Sequence, residues 1–301
     1  MSNEPRTSAD TQRSETAAPD GSESVGLVCN EVWGGNSAFY GPVELPGLRG
    51  VLYSHASDGT RGGDVHYLSV CGSGLISRAC LADVTGHGES VAAVSQATHE
   101  LLRRSVNRMD ESKVLRKLNL RLCALDEESF ATAAALTYFP PTRRLSLSYA
   151  GHEPAWYFDA STQRWLQLEV VSRPGLFDIA LAIEPRTRYT QCTRRAAAGD
   201  QLLMITDGVL ETPNEAGELF GRDRLKQLLH DSGDWVPQTL VPAIIQALRK
   251  HTNGAPLDHD DVSLLAIEIV DNLKHSALWT ALRNRLLPRR RRSSPLSGIT
   301  K

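Results

Sequence analysis

Long hydrophobic runs are missing from this sequence. No stretch approaches the roughly 18 consecutive uncharged apolar residues that a membrane-spanning helix requires. The amino terminus, MSNEPRTSADTQRSE, is polar and lacks the apolar segment of a secretory signal peptide. These absences argue against a membrane-spanning or exported protein, and we expect a cytoplasmic location.

Cysteine is scarce, and no two cysteines form a CxxC pair. The chain has five, an odd number, widely spaced in mostly apolar strings: Cys29, Cys71, Cys80, Cys123 and Cys192. A disulfide framework and a thiolate metal site both need paired, regularly spaced cysteines. We therefore expect buried, reduced thiols, as in cytosolic proteins.

Net charge is small but unevenly distributed. The formal net charge is −2, yet residues 271–301 hold eight Lys or Arg and one Asp, which leaves about −9 on residues 1–270. The acidic body has no aromatic residues interleaved among basic ones, so nucleic-acid binding is disfavoured.

The 301 residues suffice for one domain of roughly 200–250 residues with tails. Residues 1–24 are rich in Ser, Thr, Glu, Asp and Pro, and they predict a disordered leader. Residues 25–270 have the apolar patterning of a folded domain. Residues 271–301 form a separate basic tail.

The basic tail has a helical pattern of apolar residues. Leu278, Leu282 and Leu286 are spaced four apart beside Trp279, and four arginines follow Pro288. One interpretation is a helix that docks on the folded domain and precedes a solvated end. The other is a helix that contacts an anionic membrane surface or a partner protein.

Strand-like and helix-like segments are grouped rather than alternating. HYLSVCGSGLISRACLADV predicts two strands joined by a turn at residues 72–74. ESVAAVSQATHELLRRSV and ESKVLRKLNLRLCALDEE then predict two helices, the second capped by Asp110 or Ser112. WYFDASTQRWLQLE predicts a further hairpin, and residues 25–54 are expected to add a strand or two. This grouping favours a layered α+β fold.

Aspartates stand at the ends of four strand-like runs. They are Asp64 in RGGDVHY, Asp83 in LADVTGHG, Asp207 in LMITDGVLE and the pair Asp260-Asp261 in LDHDDVSLL. The first three have glycine within three residues, which permits close backbone approach. Each aspartate alone is compatible with a turn residue that caps backbone N–H groups.

Together, the aspartates indicate a metal centre. If the strand ends converge, like charges a few Å apart repel one another unless cations neutralise them. Ligation by oxygen alone suits Mg²⁺ or Mn²⁺ better than zinc. Two such ions can activate a water for in-line attack on phosphorus. The sequence therefore predicts metal-dependent phosphoryl hydrolysis.

Five ordered motifs resemble one known family. GGD, ADVTGHG, YAGHEPAWYF, ITDGVLETPNEAGELFG and DDVSLLAIEI, from about Gly62 to Ile269, resemble the PPM metal-dependent protein serine/threonine phosphatases (protein phosphatase type 2C), in the bacterial branch typified by stage II sporulation protein E. The resemblance implies an α+β fold, a four-layer α-β-β-α sandwich with two antiparallel sheets. It also implies a phosphatase domain over residues 25–270 with two Mn²⁺ or Mg²⁺ ions. The implied substrate is a phosphorylated regulatory protein of the anti-sigma-factor-antagonist type.

The resemblance also assigns ligands. Asp83 corresponds to the carboxylate that bridges both metals, and Asp64 to a ligand of one of them. The main-chain carbonyl of Val84 takes the place of the family's backbone ligand. Asp207 and Asp260 correspond to ligands of the other metal.

Other positions have alternative roles. Asp261 competes with Asp260 as ligand, although the family order of Asp, then Asn or Asp, an apolar residue, and Thr or Ser favours Asp260. His87 is a candidate proton donor to the leaving oxygen, or a residue that packs at the helix start. His152 and Glu211 are expected to support the site rather than to react.

Two departures from the family pattern and two competing functions remain. VHYLS follows GGD where the family commonly has an aromatic residue and a further Asp, and no arginine can be assigned to the substrate phosphate. One competing function is a catalytically silent phosphatase-fold scaffold or binding module. Four unneutralised carboxylates argue against it, because each would be a liability without metal. The other is a phosphoesterase that acts on small molecules.

Overall fold

A computed structural model describes most of the chain between the leader and the basic tail. It covers residues 32–35, 37–57, 62–70, 75–85, 89–104, 110–125, 129–171, 174–231 and 235–271. The predicted leader (1–24), the basic tail beyond residue 271 and His87 lie outside the described residues. Within these residues, no helix is long and apolar enough to cross a membrane.

The described part of the chain contains twelve strands, five α-helices and one short 3-10 helix (Pro140–Thr142). The strands are β1 (Val32–Gly35), β2 (Phe39–Leu45), β3 (Leu48–His55), β4 (Asp64–Val70), β5 (Ser77–Val84), β6 (Ala131–Phe139), β7 (Arg144–Ala150), β8 (Trp156–Asp159), β9 (Arg164–Gln167), β10 (Cys192–Arg195), β11 (Gln201–Ile205) and β12 (Val262–Ile269). The helices are α1 (Glu89–Arg104), α2 (Glu111–Cys123), α3 (Gly208–Glu211), α4 (Gly221–Asp231) and α5 (Pro237–His251).

The strands form two six-stranded antiparallel sheets. The first sheet has the order β1-β4-β5-β6-β7-β10, and the second has the order β2-β3-β12-β11-β8-β9. Each strand directs alternate residues to opposite faces. On β5, Ala79 and Leu81 pack between the sheets, whereas Cys80 and Ala82 pack against α1 and α2. On the far side, the second sheet packs against α4 and α5. The predicted four-layer α-β-β-α sandwich is confirmed.

The two helices that cover the first sheet follow the predicted pattern. On α2, Val114, Leu115, Leu118 and Leu122 are buried at helical spacing. The helix is capped by Asp110, whose side chain accepts a hydrogen bond from the Lys113 backbone N–H at 3.2 Å. Asp110, and not Ser112, is therefore the cap.

The hairpins form as predicted, but the amino-terminal segment contributes more than expected. β4 pairs with β5, while their connecting turn lies outside the described residues. β8 likewise pairs with β9. Instead of a strand or two, the region after residue 31 supplies three: β1 joins the first sheet, and β2 and β3 join the second.

A buried ion pair fastens α2 to the first sheet. Arg78 on β5 donates to Glu111, the first residue of α2, at 3.0 Å, and both side chains are fully buried. Thr137 on β6 donates to the same carboxylate oxygen. Because both charges are out of water, each depends on the other for compensation.

Removing one member of this pair should destabilise the protein strongly. For Glu111→Ala we expect a loss of about 3–5 kcal/mol in the free energy of unfolding, because a buried charge loses its partner. The measurement is urea unfolding followed by circular dichroism. The double variant Arg78→Met/Glu111→Leu should recover most of the loss. Equal losses in both proteins would contradict this account.

Candidate active site

Strand alternation directs two aspartates of the first sheet into the space between the sheets. Asp83 lies two residues after Leu81, and Asp64 four residues before Leu68; both leucines belong to the core between the sheets. Asp64 and Asp83 stand directly opposite each other in the β4–β5 register. Their side chains are therefore neighbours on one face.

The second sheet supplies two more aspartates at the same end of the sandwich. In the β11–β12 register, Ile205 stands opposite Leu264, so the end of β11 meets the beginning of β12. Asp207 follows β11, and Asp260 precedes β12. Asp64, Asp83, Asp207 and Asp260 are called the carboxylate cluster below.

The pKa values of the cluster reflect burial and mutual repulsion. Burial, followed by the charges of Asp207, Asp260, Asp261 and Glu211, raises the pKa of Asp83 to about 7. Burial also raises the pKa of Asp64 well above its usual value, against the hydrogen bond from Thr206. Burial and the charges of Asp260 and Glu211 raise the pKa of Asp207. A cation would relieve all three perturbations.

The oxygen atoms at this edge are of the kind that ligates a hard divalent cation. Among the described residues, no three His, Cys, Asp or Glu side chains already converge closely enough to enclose a metal ion. A Cβ on Gly63 would lie 2.4 Å from the Val84 carbonyl oxygen and 3.4 Å from Asp83 Oδ1. Glycine at this position therefore leaves room beside two of the predicted oxygen donors. Carboxylate and carbonyl oxygens suit Mg²⁺ or Mn²⁺.

Asp261 has a structural role that the sequence did not reveal. One of its carboxylate oxygens accepts hydrogen bonds from Ser57 N (2.8 Å) and Ser57 Oγ (3.0 Å). The other accepts from the backbone N–H groups of Gly63 and Asp64. Asp261 thereby ties the end of β3 to the beginning of β4. A Cβ on Gly62 would lie 1.9 Å from this carboxylate, so only glycine fits there.

Asp260 is held much more loosely. Among the described residues, its one hydrogen bond is accepted from the adjacent Asp261 backbone N–H at 2.8 Å. The two neighbouring aspartates thus differ in what they contact: both Asp261 oxygens accept from N–H or O–H groups, whereas Asp260 accepts one N–H and its charge acts on Asp83 and Asp207. This difference favours Asp260 over Asp261 as a ligand.

Sequence reasoning missed Thr206. Its hydroxyl donates to Asp64 Oδ2 at 2.7 Å and accepts from the Ser263 backbone N–H at 2.9 Å. It therefore joins a carboxylate of the first sheet to two strands of the second. Strand alternation places Thr206 on the same face as Met204, which lies between the sheets, and that was the available signal.

Of the predicted supporting residues, His152 and Glu211 both lie near the cluster. His152 Nδ1 is 2.9 Å from Thr132 Oγ1, and Thr132 stands opposite Asp83 in the β5–β6 register. Glu211 is exposed on α3, one turn after Asp207, and its backbone N–H donates to the Asp207 carbonyl at 2.9 Å. His87 lies outside the described residues, so its role stays a prediction.

Known proteins share this architecture and sequence. A family model described as stage II sporulation protein E (SpoIIE) matches residues 77–270. Phosphoserine phosphatase RsbP of Bacillus subtilis (strain 168) is 30% identical over 197 residues, which cover 63% of this chain and 45% of RsbP. The chain spans about half the length of the curated relatives it matches.

Solved structures agree on the fold. The PP2C phosphatase domain of SpoIIE from Bacillus subtilis, with a fragment of its regulatory domain, aligns with a TM-score of 0.60 at 16% identity, covering 78% of this chain and 64% of that one. The catalytic domain of the serine/threonine protein phosphatase PstP in complex with two manganese ions aligns with a TM-score of 0.51 at 17% identity, covering 74% and 99%.

The two sheets with helices on their outer faces are therefore the PP2C phosphatase fold. Within this class the match is more specific, because the family model covers more than half of the chain. The chain belongs to the SpoIIE family.

The different contacts of Asp260 and Asp261 predict opposite effects on stability. Asp261→Ala should lower the free energy of unfolding in metal-free buffer by about 2–4 kcal/mol, because four buried or partly buried donors lose their acceptor. Asp260→Ala should leave it unchanged or raise it, because a like charge is removed. Urea unfolding in the presence of a chelator measures both. Equal destabilisation would contradict the assignment of Asp261 as the structural residue.

Proposed function

We propose that this protein is a metal-dependent protein serine/threonine phosphatase that hydrolyses phosphoserine or phosphothreonine on a regulatory protein. The observation that carries the proposal is the carboxylate cluster, in which two antiparallel sheets each bring two aspartates to one edge. Its raised pKa values indicate carboxylates that need a cation. Membership in the SpoIIE family and the name of the relative RsbP support the same reaction.

Two Mn²⁺ or Mg²⁺ ions are the proposed cofactors. Asp64, Asp83, Asp207 and Asp260 would hold them, together with the main-chain carbonyl of Val84. When bound, such a pair supplies an activated water and neutralises charge on the phosphoryl oxygens. The manganese-bound structure of PstP, which has the same fold, supports this cofactor choice.

The protein's own residues hold the proposed ligands in position. Asp83 stands opposite Asp64 and is acted on by the charges of Asp207 and Asp260 from the second sheet, so it would serve as a ligand common to both ions. Thr206 fixes one oxygen of Asp64, and Asp261 fixes the backbone at Gly63 and Asp64. These contacts pre-organise the ligand set and reduce the rearrangement that metal binding requires.

His87 is the proposed proton donor to the leaving serine or threonine oxygen. In the sequence it follows Val84, the last residue of β5, by three residues. An unperturbed imidazole titrates near the working pH, which suits a general acid. Its replacement by Gln should slow phosphopeptides more than substrates with a good leaving group, which need no proton.

The proposed substrate is a phosphorylated regulatory protein of the anti-sigma-factor-antagonist type. Relatives named phosphoserine phosphatases support the phosphoserine part of this assignment. The proposed location is the cytoplasm, which agrees with the free thiols of Cys80, Cys123 and Cys192. Contact of the basic tail with a membrane surface or a partner remains part of the hypothesis.

Metal-dependent turnover is the direct test of the proposal. The purified protein should hydrolyse a phosphoserine peptide in the presence of Mn²⁺, and Asp83→Asn should lower kcat by about 100-fold or more, because it removes charge at the reacting centre. Asp223→Asn, an exposed carboxylate on α4, is the matched control and should keep wild-type kcat. Unchanged turnover in Asp83→Asn would contradict the proposal.

Metal binding gives an independent prediction. At a free Mn²⁺ concentration 100 times its Kd, wild-type protein should gain about 2.7 kcal/mol of stability. Asp83→Asn should gain much less under the same conditions. Thermal unfolding with and without Mn²⁺, supported by calorimetry, measures the gain. Folded wild-type protein that binds no Mn²⁺ would favour a catalytically silent scaffold instead.

A further inference from the structure

A short polar chain leads from the carboxylate cluster into the space between the sheets. Asp83 and Thr132 are cross-strand neighbours on β5 and β6. Ala134 and Leu136 on β6 pack between the sheets, so Thr132 faces the same way as Asp83. Directly opposed residues on one face have Cβ atoms about 5 Å apart. His152 Nδ1 then lies 2.9 Å from the Thr132 hydroxyl oxygen.

His152 stands where the chain crosses from one sheet to the other. It follows the end of β7 in the first sheet and precedes β8 in the second. Only 8% of the residue is exposed. Among the described residues, the hydrogen bond of its ring is the one with Thr132, the cross-strand neighbour of Asp83.

The segment that bears His152 is anchored on both sides. The Gly151 backbone N–H donates to the Asp178 carbonyl at 2.7 Å. The Glu153 carboxylate accepts two hydrogen bonds from Arg222 on α4, at 2.7 and 2.9 Å, and one from Gln167 on β9. With both neighbours held, the imidazole ring has little room to move.

We propose that His152 is a positioning residue that holds the Asp83 side of the carboxylate cluster in place through its hydrogen bond with Thr132. The inference depends on the proposed function, because the position of Asp83 matters in this way only if the cluster binds metal ions. Nothing in the arrangement requires His152 to touch substrate.

A role for His152 in proton transfer is disfavoured. Its Nδ1 is engaged by Thr132, and its Nε2 is buried without a partner at hydrogen-bonding distance among the described residues. Burial lowers the pKa of His152 to about 4, so the ring is neutral at physiological pH. Two charged residues adjoin this segment: Glu153, already paired with Arg222, and Asp178, whose carbonyl accepts from the Gly151 N–H and whose carboxylate accepts from the Thr190 N–H.

Groups that orient metal ligands typically change metal affinity by 10–100-fold when they are removed. The expected consequence of losing His152 is therefore weaker Mn²⁺ binding, without loss of any ligand. Asn and Gln variants distinguish the contributions of the two ring nitrogens. The Asn amide reaches the position of Nδ1, and the Gln amide reaches the position of Nε2.

The experiment measures Mn²⁺ affinity by calorimetry on the full chain. Thr132→Val and His152→Gln should each weaken Mn²⁺ binding by about 10–100-fold, because the hydrogen bond between residues 132 and 152 is lost. Thr132→Ser and His152→Asn preserve a hydrogen-bonding group at each end and should stay within about threefold of wild type. The double variant Thr132→Val/His152→Gln should be no weaker than the worse single variant, as coupled residues predict.

Urea unfolding in the presence of a chelator shows whether a variant loses stability independently of metal binding. The inference is supported if the affinity pattern holds while metal-free stability is similar in the conservative and disruptive variants. It is overturned if all four single variants bind Mn²⁺ as wild type does, or if affinity simply follows lost stability. It is also overturned if His152→Asn removes the acidic limb of the kcat profile, which would make His152 the proton donor.

Failure of the proposed function gives a different result. Wild-type protein would then neither bind Mn²⁺ nor hydrolyse the phosphoserine peptide. Wild-type activity with unchanged variants would instead count against the His152 inference alone.

Discussion

Repulsion between carboxylates is the constraint on which the rest of the site depends. Four aspartates lie at one edge of the sandwich, and burial together with like charge raises the pKa values of Asp64, Asp83 and Asp207. Such an arrangement persists only if strong local contacts hold the backbone and if cations supply compensation. The rigid strands hold the backbone, and the oxygen donors provide ligands for the cations. The need to neutralise these carboxylates accounts for a site that binds metal ions.

A polar layer separates the apolar core from the carboxylate cluster. Thr206 and Ser263 on the second sheet and Thr132 on the first occupy positions that hold Leu, Ala or Met one step deeper along the same strands. The Thr206 hydroxyl donates to Asp64 and accepts from the Ser263 backbone N–H, and the Thr132 hydroxyl lies 2.9 Å from His152 Nδ1. Asp261 completes the layer by holding the β3–β4 connection. These residues stabilise a charged edge to which the apolar core offers no hydrogen bonds.

The departure VHYLS, after the GGD motif, has a structural explanation. His66 faces the same way as Asp64 and is likewise buried, and its ring lies 5.9 Å from that of Phe39 on β2. Burial lowers the pKa of His66 to about 4, so the ring packs as a neutral group. The position fills space between the strands where the family commonly continues with an aromatic residue and an aspartate.

The sequence by itself determined the local structure and the chemical type of the site. Helical spacing predicted α1 and α2, and the Gly-containing hairpin predicted the pairing of β4 with β5. Aspartates at strand ends, with glycine nearby, indicated oxygen ligation of hard metal ions. These features depend on neighbours within a few residues, so periodicity and turn chemistry reveal them.

Only the tertiary structure decided which groups meet: Asp261 reaches Ser57 across 204 positions of sequence, and Thr206 reaches Asp64 across 142. Sheet order and register create these contacts, and no local pattern encodes them. The same long-range pairing gave Asp260 and Asp261 different surroundings and brought His152 to Thr132, opposite Asp83.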